Sequence, residues 1–154
     1  MYQQLMLRVL LTLMLPVSAV FAAQDMTGNM EIPDTFANHK VVLQISDPNP
    51  FKQTLVLNVA GNVLKHYGDT TKVDIEVVAF GPGARLLLKG NANTPRIKRL
   101  MAAGIRFSVC NNTLTNMSKK LGYRPQVIEG ARIVPAGAVR ILQLNEHGWI
   151  TIKP

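Results

Sequence analysis

The chain has 154 residues, of which 47% are hydrophobic and 17% charged, with a formal net charge of +8 and a single cysteine. That length suits one domain whose core folds without disulfides, and one cysteine excludes a disulfide scaffold within the chain. Beyond Arg8 its cations are spread from Lys40 to Lys153, with no basic block and no aromatic RNA-binding motif, so nucleic acid is not an expected partner; dispersed positive charge suits small anions, acidic proteins or anionic headgroups.

The first segment, Met1 to Arg8, carries one positive charge and leads into Val9-Leu10-Leu11-Thr12-Leu13-Met14-Leu15, then Pro16 and small residues up to Ala22-Ala23. This is the grammar of a secretory signal peptide over residues 1–22, with cleavage after Ala22. A membrane span would need about 20 apolar residues, and Pro16-Val17-Ser18 breaks the run early, so no span is expected once the leader is removed. A bacterial periplasmic or secreted protein follows. The mature chain has 132 residues and a formal charge of +7, since Arg8 is the charged residue of the leader. Residues 23–39, rich in Asp, Thr, Gly, Asn and Pro, read as a loose lead-in, and residues 40–154 as the folded domain.

Within that domain Val41-Val42-Leu43-Gln44-Ile45-Ser46 is a near-continuous β-branched run, the mark of a strand covered on both faces, and Asp47-Pro48-Asn49-Pro50 ends it. Phe51, Leu55, Val59, Val63 and Tyr67 recur every four residues, with Val56, Ala60 and Leu64 beside them, and predict an amphipathic helix stopped by Gly68. Val73 to Phe80 is a second strand, on which Asp74 and Glu76 are expected to face solvent. Gly81-Pro82-Gly83 then breaks the chain before a short helix from Ala84 to Leu88. Thr94-Pro95 opens a further helix that buries Ile97, Leu100 and Met101 and stops at Gly104. Ile105 to Cys110 is the third strand, followed by a helix from Asn112 or Thr113 to Leu121, stopped by Gly122. After the Tyr123–Gly130 connection come a short strand from Ala131 to Val134, a turn at Pro135-Ala136-Gly137, a helix ending at His147-Gly148, and a last strand from Trp149 to Lys153. Alternating strands and helices at this spacing predict an α/β fold, a three-layer α/β/α sandwich around a mainly parallel sheet of about five strands.

Ligands of such sheets bind beyond the carboxyl ends of the strands, where loops and helix N-termini converge. Four loops qualify here, those carrying Asp47, Gly81 with Gly83 and Arg85, Cys110 with Asn112 and Thr113, and Gly137 with Arg140. Cys110 sits where a strand gives way to a helix start, and the partial positive charge there favours thiolate. The thiol is therefore either a nucleophile open to solvent or a small buried hydrophobe. An unpaired thiol in an exported protein needs a reason. Gly81-Pro82-Gly83 with Arg85 forms either an anion nest or a plain turn. His39, His66 and His147 lack metal-ligand spacing and no Walker or dinucleotide motif is present, so neither metal nor cofactor is expected.

The blocks Val41 to Asp47, Glu76 to Leu87, Gly104 to Thr113 and Val134 to Ile141, in that order and spacing, resemble the DsrE/DsrF-like (DsrEFH, TusD-type) sulfur-relay family over about 115 residues. The resemblance implies a cysteine after the third strand, here Cys110, that accepts sulfane sulfur as a persulfide and passes it to a partner protein within a homo- or hetero-oligomer such as a trimer or hexamer. It implies a carrier whose independent turnover is open. The relays of that family are cytoplasmic, whereas this chain opens with a leader. The expectation is an exported sulfur-relay-type protein that binds small sulfur anions, with Arg85 and Arg140 orienting the anion and Asn112 and Thr113 donating to the sulfur. The alternative is a non-catalytic periplasmic binding or oligomerising module whose cysteine is structural.

Overall fold

The computed structural model describes residues 31–154. The signal peptide expected over 1–22 and the first part of the lead-in lie outside them. Five strands, β1 (His39–Ile45), β2 (Val73–Ala79), β3 (Arg106–Cys110), β4 (Arg132–Val134) and β5 (Ile150–Ile152), form one sheet in the order β4-β3-β2-β1-β5. All four pairings are parallel. Between them run α1 (Pro50–Tyr67), a 3-10 segment (Gly81–Leu87), α2 (Thr94–Ala102), α3 (Asn111–Leu121) and α4 (Gly137–Glu146).

Helix boundaries follow local chemistry. Asn49 caps α1 by accepting from the Phe51 N–H at 2.9 Å, Pro50 stands in the first turn, and Gly68 closes the helix at φ 98°. Gly122 closes α3 in the left-handed region at φ 78°.

The chain steps from β1 to β4 in one direction and then returns across the sheet to β5. Right-handed crossovers therefore put the helices of the first three connections on one face and α4 on the other. Side-chain alternation agrees. Val41, Leu43, Ile75, Val77, Phe107 and Val109 pack with Val56, Leu57, Ala60, Ile97 and Leu114 in the larger core. Val42 and Val78 point the other way, to Ile141, Leu144 and Trp149. No helix among the described residues is long and apolar enough to cross a membrane.

Two expectations are corrected. The buried face of α1 is centred on Gln53, Val56, Leu57 and Ala60, while Phe51 is 85% exposed and Leu55 44%. The four-residue stripe drifts around a helix of 3.6 residues per turn, and its first two members face water. Asp74 and Glu76 are not surface residues, because β2 is buried throughout. On the α4 face Arg140 donates to both Glu76 carboxylate oxygens, from Nε at 2.9 Å and from Nη2 at 2.8 Å, and Ser108 donates to the same carboxylate at 2.7 Å. Arg106, two residues before Ser108, pairs with Asp74 and packs over the Trp149 ring. Carboxylates are tolerated beneath a helix here because guanidinium groups meet them.

Candidate functional site

Cys110 is the last residue of β3 and the N-cap of α3. Strand geometry turns its side chain to the α4 face, where the first residues of α4 come down beside it. Asn112 N–H, in the first turn of α3, donates to Pro135 O at 3.2 Å and so ties the start of one helix to the turn before the other. Gly137 makes the approach feasible: a Cβ there would lie 2.8 Å from Phe80 Cβ, at the end of β2. Two helix N-termini thus converge on one sulfur.

The residue is only 6% exposed. A thiol open to solvent is therefore not what the fold provides; the sulfur is recessed. Its surroundings are polar all the same. Burial pushes the thiol pKa up, but the Thr113 side chain and the backbone N–H groups of Gly137, Thr113 and Asn112 act against it, and the net displacement is below the ordinary thiol value. The Cys110 side chain makes no cap hydrogen bond to α3, so the backbone N–H groups act chiefly as dipoles aimed at the sulfur. One helix terminus supplies at most about 2 kcal/mol in a partly buried setting, and each unit of pKa is about 1.4 kcal/mol. Overcoming burial takes several donors, and the convergence of α3 and α4 supplies them.

Thr113 links this sulfur to the loop after β2. Its Oγ1 accepts from the Gly81 N–H at 2.8 Å. Gly83 N–H donates to Ser46 O at 3.1 Å, and a Cβ on Gly83 would lie 2.5 Å from Ile45 O. The amides of Gly81 and Gly83 are thus spent on the protein itself, which corrects the anion-nest reading; the loop is a close-packed turn against the end of β1. Its outer side is chemically open. Gly81, Pro82 and Arg85 face Thr113, Asn116 and Lys120 across a hollow of about 260 Å³. Arg85 and Lys120 have no acidic partner among the described residues, so the hollow beside the thiol's hydroxyl neighbour is cationic.

The fold thus brings Asn112, Thr113 and Gly137 to Cys110, with Gly81 bonded to Thr113 and Arg85 across the hollow that Thr113 also lines. Asp47 is elsewhere. It lies at the end of β1 in a separate hollow of about 180 Å³ with Ser46 and Lys153, paired to Lys52 at 2.6 Å, and this contact holds its carboxyl below the usual range. Arg140 is also withdrawn: it is 1% exposed and directed at Glu76, so its expected role of orienting an anion is replaced by a structural one. Asn116 and Lys120 escaped the sequence reading, although a signal existed. Thr113, Asn116 and Lys120 stand at i, i+3 and i+7 on one face of α3.

No protein-family model matches the chain, and no curated protein matches it. Among solved structures the chain is similar to MTH1491 from Methanobacterium thermoautotrophicum, at 26% identity over 76% of this chain and 100% of that one, with a TM-score of 0.67. That likeness is one of fold. MTH1491 is described as a protein of unknown function, so it brings no activity with it. Among the described residues no group of three or more His, Cys, Asp or Glu is placed to hold a metal ion.

Proposed function

We propose that the protein is an exported sulfur carrier of the DsrE/DsrF-like type, with Cys110 as the acceptor of sulfane sulfur and the Arg85–Lys120 hollow as the place where an anionic sulfur species waits. The observation that carries this reading is the position of the lone thiol, the N-cap of α3 with the start of α4 tied beside it, where the backbone N–H groups of Asn112, Thr113 and Gly137 favour thiolate. In the step, the Cys110 thiolate attacks the terminal sulfur of a donor persulfide, R–S–SH. A sulfur–sulfur bond forms at Cys110 as the donor's breaks, R–S⁻ leaves, and no external oxidant is needed. The transferred sulfur then lies about 2 Å beyond Sγ, which extends the reach of a recessed residue. Export, and assembly into a trimer or hexamer that meets donor and acceptor proteins, complete the proposal.

Intact mass spectrometry after incubation with polysulfide tests it. The expected result is a gain of one sulfur atom per chain that is lost on reduction and absent from Cys110→Ser; no gain in the wild-type protein overturns the reading.

The low exposure of Cys110 favours a second reading, a binding or oligomerising module with a structural cysteine. Alkylation of the native protein near neutral pH separates the two. Fast modification supports the carrier, and modification only on unfolding supports the module.

A further inference from the structure

A second concavity, away from the hollow beside Cys110, carries chemistry that the sulfur reading does not use. The chain between α3 and β4 pairs with the chain after the 3-10 segment through a Leu88–Val127 bridge, the Lys89 N–H donating to Gln126 O at 2.8 Å and the Ile128 N–H to Leu87 O at 3.0 Å. This ladder forms the wall of a groove of about 660 Å³, with Val127, Ile128 and Ile133 for its apolar lining and Lys89, Lys98 and Arg124 around them. Ile133, on β4, is 45% exposed. None of the three cations has an acidic partner among the described residues. Lys89 reaches Gln126 Oε1 at 3.2 Å and Arg124 reaches Asn111 Oδ1 at 2.7 Å, and a single carboxylate, Glu129, shares the groove.

We infer that this groove is a docking site for an extended acidic segment of another protein, one in which carboxylates alternate with aliphatic side chains. Charge complementarity sets the sign, three uncompensated cations against one acid. The apolar lining and the exposed Ile133 call for aliphatic groups between the charges. β4 is an edge strand of the sheet, which suits an extended segment better than a helix because an edge offers main-chain partners. No aromatic ring lines the groove, so a single-stranded nucleic acid would find nothing to stack on. The site stands without the sulfur chemistry. Through Arg124 and Asn111, however, it borders the residue that follows Cys110, so on the sulfur-carrier reading a segment bound here belongs to a donor or acceptor protein.

Fluorescence anisotropy with a labelled peptide of alternating glutamate and valine tests the inference. Binding is expected to weaken at least tenfold in Lys98→Glu/Arg124→Glu and to fall in Ile133→Ser, while Lys65→Glu/Lys72→Glu, which removes two cations outside the groove, leaves it unchanged. Three results overturn it: an equal loss in the Lys65/Lys72 variant, which means general charge attraction; displacement by pyrophosphate at the peptide's own affinity, which means a small-anion site; and an oligonucleotide binding equally well with the same dependence on Lys98 and Arg124. Circular dichroism establishes that each variant is folded. Cys110→Ser is expected to bind the peptide normally, so failure of sulfur loading and failure of docking read out separately.

Discussion

Thr113 is the residue on which the ionisation of Cys110 most depends, because its side chain touches the sulfur and its Oγ1 is held in place by the Gly81 N–H. Removing one hydrogen bond of this kind costs about 1 kcal/mol, which corresponds to a roughly fivefold fall in thiolate where the thiol is mostly protonated. Thr113→Val is therefore expected to slow alkylation of Cys110 about fivefold below the thiol's pKa, and Thr113→Ser to restore it; identical pH profiles for Thr113→Val and the wild type would contradict the assignment. Gly137 acts by absence. A methyl group there collides with Phe80 at 2.8 Å, and overpacking of that kind costs about 1–3 kcal/mol. Gly137→Ala is expected to lower the urea midpoint and to slow alkylation at once, since the start of α4 is pushed off the sulfur, and an unchanged midpoint would count against the close contact.

Besides the apolar contacts of Ile141 and Leu144, α4 is pinned to the sheet by a buried ion pair. Arg140, one turn into the helix, grips Glu76 at the centre of β2, and Ser108 adds a bond from β3. Removing one partner of a buried pair typically costs about 3–5 kcal/mol, whereas replacing both by apolar residues of similar volume is far milder. Arg140→Met is expected to destabilise by that order in urea unfolding, and Glu76→Leu/Arg140→Met by much less; equal losses would mean that the pair does not act as a unit. The elements themselves were largely legible in the amino-acid sequence, because Gly68, Gly104, Gly122 and Gly148 stop the chain's regular segments and each has a positive φ. The charged network was not. Asp74 and Glu76 alternate with apolar residues as a wet strand face would, and the arginine that buries Glu76 comes from 64 positions further along the chain. Local periodicity carries no record of such a partner. On α1 the same periodicity misled, since Phe51 and Leu55 continue the apolar stripe yet face solvent. Around Cys110 the neighbours contributed by loops following strands were readable, while Asn116 and Lys120 needed the helical face to be projected.

For the molecule as a whole, the buried carboxylate ties stability to pH. Burial alone would raise the Glu76 pKa, but Arg140, Ser108 and Arg106 outweigh it and the net displacement is downward. Its folded pKa therefore lies below its unfolded one. The stability it contributes is fully present above about pH 4.3, the unfolded value, and is lost as pH falls through the folded value. Unfolding free energy is expected to drop on acidification in that window for the wild type and to drop less steeply for Glu76→Leu/Arg140→Met, and parallel curves would contradict the linkage. At the other end of the scale, the same sheet face that buries Glu76 presents Cys110 to the starts of α3 and α4, so packing and thiol chemistry share one frame. Because the chain has a single cysteine, titration of thiolate ultraviolet absorbance in the native protein reports that one sulfur and nothing else once tyrosine ionisation is subtracted with Cys110→Ser. The account predicts a midpoint below 9.0, the ordinary thiol value from which the sulfur is displaced; a midpoint at or above it would contradict the claim that the two helix starts hold Cys110 ready as a nucleophile.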